Sequence, residues 1–115
     1  MDISKNKELS RLKRQFNKIL KQVPEDKKPI ATSLIKELTF MAITLDELKE
    51  KIKETGTVEL FKQGKQEFWR ESPALKAYNT TVQRYSLLYK QLTDLLPKTT
   101  EDIQDNALYE FIKAN

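Results

Sequence analysis

Cysteine and histidine are both absent from this 115-residue chain. Without thiols there is no disulfide, no thiolate nucleophile and no sulfur ligand for a metal. Without imidazole the chain lacks the side chain most used for acid–base catalysis near neutral pH. Glycine occurs twice and proline four times, which leaves little turn chemistry for a sheet and favours a helical chain. No stretch approaches the ~20 consecutive apolar residues of a membrane span. The polar N-terminus carries no apolar run of the signal-peptide kind. These absences lead us to expect a soluble, cytoplasmic protein with no cofactor, no metal and no membrane partner.

What is present in quantity is charge. Charged residues make up 33% of the chain and hydrophobic residues only 38%. That is enough for one domain with a modest core, which subunit association would help to stabilise. The net charge of +4 is mild, and its distribution says more than its sum.

The rest of the chain is organised around Ser72 to Lys98, SPALKAYNTTVQRYSLLYKQLTDLLPK. Ser72 is a natural N-cap, and Pro73 suits the first helical position, where a missing N–H costs nothing. Leu75, Tyr78, Val82, Tyr85, Tyr89, Leu92 and Leu96 then recur at alternating steps of three and four. They form one stripe of a helix about 35 Å long at ~1.5 Å per residue. Pro97 ends it. An earlier stripe of Ala31, Leu34, Leu38, Met41, Leu45, Leu48 and Ile52 predicts a partner helix, with Gly56 as its C-cap. Its LDELKEKIKE portion alternates acids and lysines as solvated helix faces do.

Residues 1–22 predict a first helix, with Leu9, Leu12, Phe16, Ile19 and Val23 at helical spacing and Leu20 widening the stripe. Its other faces carry Lys5, Lys7, Arg11, Lys13, Arg14, Lys18 and Lys21 against Asp2 and Glu8. Seven bases against two acids suit a phosphate-contacting surface, because clustered cations gain affinity by releasing counterions from nucleic acid. They suit a solvated face equally well. A membrane-surface helix fits less, since the apolar face is narrow and lacks tryptophan.

Residues 57–71, TVELFKQGKQEFWRE, predict a short amphipathic piece whose Val58, Phe61, Phe68 and Trp69 fold back on the long helices. Trp69 reads as a core or interface residue, or else as a base-stacking platform. Gly64-Lys65 is no phosphate loop, because Glu59 and Gln66 stand where the motif needs glycine and Ser or Thr. Beyond Pro97, Thr99, Thr100, Glu101 and Asp102 give a cap signal for a last short helix bearing Ile103, Ala107, Leu108, Phe111 and Ile112. Such a helix either folds back on its own core or offers its apolar face to a partner's groove.

The expected fold is therefore all-α. It comprises a long helical hairpin (about 29–55 and 73–96), a basic N-terminal helix and a short C-terminal helix. Residues 1–98 would form the helical core and 99–115 an acidic, amphipathic segment. Leu38, Leu45, Leu48, Tyr78, Val82, Tyr85, Tyr89 and Leu92 lie on stripes suited to a subunit interface or to packing within the chain. Carboxylate pairs such as Glu47 and Glu50, or Asp102 and Asp105, share helical faces, but nothing builds a pocket around them. No catalytic residue is expected.

The run from Gly56 to Lys98, somewhat over a third of the chain, resembles the P27-like family of phage terminase small subunits. The likeness rests on an ordered set of features. A short helix precedes Ser72-Pro73-Ala74, Ala77-Tyr78-Asn79 follows, and a long helix ends in Leu95-Leu96-Pro97 before an acidic tail. The resemblance implies a non-enzymatic member of a viral genome-packaging motor, a homo-oligomeric ring assembled through central helical hairpins. It also implies double-stranded viral DNA as one partner and the large ATPase/nuclease subunit as another. Those roles would fall to the basic residues from Lys5 to Lys21 and to Ile103, Leu108, Phe111 and Ile112 respectively. The family often carries a separate helix-turn-helix module, and none stands out here, so electrostatic DNA binding is the expectation. The alternative from another class is a small helical interaction module of a phage or mobile element with no DNA role.

Overall fold

The computed structural model describes residues 3–97, with side chains from residue 6 onward. The element order is α1 (Ile3–Gln22), a single 3-10 turn (Glu25–Lys27), α2 (Lys28–Thr55), β1 (Val58–Gln63), β2 (Gln66–Glu71) and α3 (Pro73–Asp94). The fold is mostly helical but not all-α, which corrects the sequence expectation. The expected C-terminal helix, with Ile103, Leu108, Phe111 and Ile112, lies outside the described residues.

The three helices form where apolar residues repeat at steps of three and four. α2 starts through the Pro24–Lys27 turn with Pro29 in its first turn. It stops at Gly56, whose φ of 85° is a conformation that side-chain-bearing residues resist. The Gly56 N–H still donates to the Ile52 carbonyl at 2.7 Å, which satisfies one of the carbonyls at the helix end. α3 begins as expected, with Ser72 as N-cap accepting from the Leu75 N–H at 3.4 Å. Its regular part closes at Asp94, two residues before the expected end. Leu95 and Leu96 continue it only as tighter turns, donating to Leu92 and Thr93 at 3.1 Å each.

The helices run up, down and up. Lys49 of α2 lies over the Tyr78 ring of α3, 6.0 Å from its centre, while Leu38 of α2 and Leu92 of α3 share the buried core further along. That reversal makes α2 and α3 antiparallel. α1 packs across both, with Phe16 6.2 Å from Tyr89 between ring centres. Phe16, Val23, Ala31, Leu38 and Leu92 form the sealed core, bordered by Leu12, Ile19, Leu20, Leu34, Ile35, Tyr85, Leu88, Tyr89, Leu95 and Leu96. The core thus sits at the closed end of the bundle, away from the strands.

Residues 58–71 are a two-stranded antiparallel hairpin, not a helical piece folded back on the bundle. Leu60 pairs with Trp69, Phe61 with Phe68 and Gln63 with Gln66. Gly64 and Lys65 make the two-residue turn. Gly64 has φ 60° and among the described residues no non-glycine residue has positive φ, the pattern of a type II′ turn with glycine first. This turn matches the right-handed twist of the strands, and it outweighs the scarcity of glycine elsewhere. Both ion pairs across the hairpin join oppositely charged partners: Arg70 Nη2 to Glu59 at 2.6 Å, and Lys62 to Glu67 at 3.4 Å. One face carries Phe61 and Phe68, 5.1 Å apart, with the Arg70 guanidinium 4.3 Å from the Phe61 ring centre. The other face carries Val58, Leu60 and Trp69, all exposed, Trp69 by 69%.

Leu92 has no exposed surface. Leu92→Ala is expected to lower stability by about 2–5 kcal/mol through lost burial and a residual cavity. Leu87→Ala, on the exposed side of the same helix, should change it far less. Urea denaturation of both variants measures the difference.

Candidate nucleic-acid interface

On an α-helix each residue advances by about 100°. Lys7, Arg11, Arg14, Lys18 and Lys21 therefore fall within a sector of about 80° on α1, a row about 21 Å long at ~1.5 Å per residue. Phe16 and the rest of the core stripe occupy the opposite side, so burial of α1 turns the row outward. All five residues are exposed. None makes an ion pair among the described residues. Lys13 is also exposed but projects well off the row. Lys5 lies within α1, and its side chain falls outside the described residues.

A shallow depression of about 430 Å³ lies along this row, lined by Asn6, Lys7, Ser10, Arg11 and Arg14. Each of these side chains can donate a hydrogen bond, and no carboxylate lines the depression. Chemically it suits phosphate oxygens: cations supply attraction, while amide, hydroxyl and guanidinium groups supply direction.

The seam beneath α1 holds the residues expected at a subunit interface. Leu38 and Leu92 are sealed inside the chain. Leu45, Leu48, Tyr78, Val82, Tyr85 and Tyr89 are half-buried along the α2–α3 contact. Tyr85 and Tyr89 stack with ring centres 6.2 Å apart. In this single chain the stripes serve first to hold the two long helices together. A groove of about 320 Å³ opens beside them between Glu8, Leu9 and Leu12 of α1 and Ala42 to Lys49 of α2, with Tyr85 at its side.

No family model, curated protein or solved structure matches the chain. Among the described residues no three carboxylates come together as a metal site, and no helix is long and apolar enough to cross a membrane. Sequence reasoning did not single out Phe40, Ile43 and Leu87, three large apolar residues exposed on the outer sides of α2 and α3. The signal was available: each is out of phase with its helix's buried stripe.

The Tyr85 phenol is pushed above the ordinary tyrosine range, first by burial and then by the neighbouring Tyr89 phenol. The folded state thus holds this proton more tightly than the unfolded chain does. The resulting stabilisation is complete below about pH 10, the ordinary tyrosine value, and is lost as pH rises through the higher folded value. Tyr85→Phe should therefore lose less stability than the parent chain between about pH 8 and strongly alkaline conditions, as denaturation midpoints would show.

Proposed function

We propose that the chain is a DNA-binding, self-associating adaptor of the terminase small-subunit kind. It acts in the bacterial host's cytoplasm and carries no catalytic centre of its own. Its partners are double-stranded viral DNA, further copies of itself in a ring, and the large subunit that supplies ATPase and nuclease. The observation that carries this reading is the row of five cations on the side of α1 facing away from the core. A helix face that only had to stay wet would serve as well with acids interspersed, as on α2, where Glu50 pairs with Lys53 at 3.6 Å. Here a single sign prevails, and the neighbouring polar groups are donors. Binding of this kind is electrostatic and reads the phosphate backbone more than the base sequence.

The resemblance over Gly56 to Lys98 supplies the packaging context and the large-subunit partner. The acidic, amphipathic segment 99–115 is the region proposed to dock that partner, through Ile103, Leu108, Phe111 and Ile112. The second reading, a helical interaction module without a DNA role, is favoured by the exposed apolar face of the β-hairpin. A module of that kind would show no salt-dependent retention on heparin.

Reversing three charges, with Arg11, Arg14 and Lys18 all changed to Glu, should weaken binding to duplex DNA by more than tenfold. It should also flatten the dependence of log affinity on log salt by about 0.9 for each phosphate no longer neutralised. Lys13→Glu, off the row, should alter the slope less. An unchanged affinity and slope in the triple variant would end the DNA-binding reading. Deleting 99–115 should abolish capture of the large subunit and leave the DNA salt slope in place, which a paired pull-down and titration would check.

A further inference from the structure

A two-stranded hairpin standing alone is marginal in water, and this one projects from the helices with apolar residues on both faces. Its hydrogen-bonding pattern shows what is left open. Ser72 donates to the Thr57 carbonyl at 2.9 Å, so Thr57 and Ser72 are a hydrogen-bonded pair one step below the strands. Alternation along an antiparallel ladder then makes 59–70, 61–68 and 63–66 the bonded pairs. Val58, Leu60 and Lys62 on β1, and Glu67, Trp69 and Glu71 on β2, are left with backbone groups directed outward along both edges. Open edges of this kind are templates for further pairing.

We propose that the two flanks of the molecule are complementary to each other, so that copies stand side by side. The α2–β1 flank of one copy meets the β2–α3 flank of the next. Because α2 leads straight into β1 and β2 straight into α3, one contact engages helix and strand together. Rotation about an axis parallel to the helices keeps each residue at its own level, so β1 and the neighbour's β2 meet in the register already used within the chain. Glu59 again faces Arg70, Lys62 again faces Glu67, and Leu60 faces Trp69. The alternating charges then continue across the contact without a like pair.

The helices agree at the same levels. Leu87, exposed by 62% on the outer side of α3, stands level with the interval between Phe40 and Ile43, exposed by 68% and 40% on the outer side of α2. Toward the closed end Lys36 is level with Asp94 and Glu37 lies close to the level of Lys90. Toward the hairpin Lys76 is level with the turn from Lys51 to Glu54, which carries both signs. All of these charged residues are exposed. The hairpin itself carries Lys62, Lys65 and Arg70 against Glu59, Glu67 and Glu71, a neutral balance. Neutrality suits a copy of the same surface and not a polyanion. The two flanks differ from one another, so the contact is head-to-tail and generates a ring when the rotation closes.

This inference rests on the self-association proposed above and says which surfaces carry it. The absence of cysteine allows a direct test, since an introduced thiol is the only one present. Lys62→Cys and Glu67→Cys replace exposed residues and should leave the circular dichroism spectrum unchanged. In the proposed contact their Cα atoms would sit about 5.5 Å apart, within disulfide range. Two differently tagged variants, co-expressed and then oxidised, should yield a disulfide-linked dimer carrying both tags, and neither variant alone should yield any. A dimer from either variant alone would mean that like strands meet, and would overturn the proposal. No dimer from the mixture, with the native mass still that of an assembly, would overturn it while leaving self-association intact. A monomeric native mass for the parent chain would remove both readings. Leu87→Glu should raise the concentration needed for half-assembly at least tenfold, and an unchanged assembly curve would count against the helical part of the contact.

Discussion

The junction at Thr57 and Ser72 holds the architecture together. Ser72 is 2% exposed, its N–H donates to the Thr57 carbonyl at 2.9 Å, and its hydroxyl caps α3. One residue therefore closes the strand ladder and starts the helix in the same step. Because the backbone turns from pleated pairing to helix there, the levels of α2 against α3 and of β1 against β2 are fixed together. Slippage of the strands by one residue would turn each side chain to the other face. It would also set Glu59 and Lys62 against neighbours other than Arg70 and Glu67. The exposed ion pairs add little to stability, yet they penalise the wrong registers and so reinforce what the junction sets.

Helical parts of this fold were legible because burial and periodicity agree. In α2, Ala31 and Leu38 fall on one stripe and are fully buried. In α3 the same holds for Leu92, and Ser72-Pro73 marked the helix start to the residue. The hairpin was missed for a compositional reason. Two glycines in the whole chain argued against strands, yet one glycine at the first position of a two-residue turn is all that a type II′ hairpin needs. Its aromatic and β-branched residues, read at helical spacing, looked like a short amphipathic helix; read in alternation, they separate Val58, Leu60 and Trp69 from Phe61 and Phe68.

The candidate interface was legible as a composition before it was legible as a shape. The basic residues of α1 stand out as seven bases against the single acid Glu8, but that count does not separate Lys13 from its neighbours. Only the angular position relative to Phe16 does so, together with the donor-lined depression from Asn6 to Arg14. The stripes expected to bind another subunit are buried or half-buried between α2 and α3 of the same chain. What sequence alone leaves undecided is which molecule a seam faces, since packing within a chain and between chains bury the same residue types.

The placement of the cationic row has a consequence for how tightly one molecule can hold a polyanion. A row about 21 Å long on a single straight helix touches only a short arc of a duplex before the two curve apart. On the proposed DNA-binding reading, each molecule alone would hold only a few phosphates and exchange fast. Tethering many such rows in one object changes the arithmetic, because once one has landed the others meet the same strand at a high effective concentration. In the proposed ring, a helix that holds weakly alone would become, by repetition, a grip that lets go at any single point without releasing the whole.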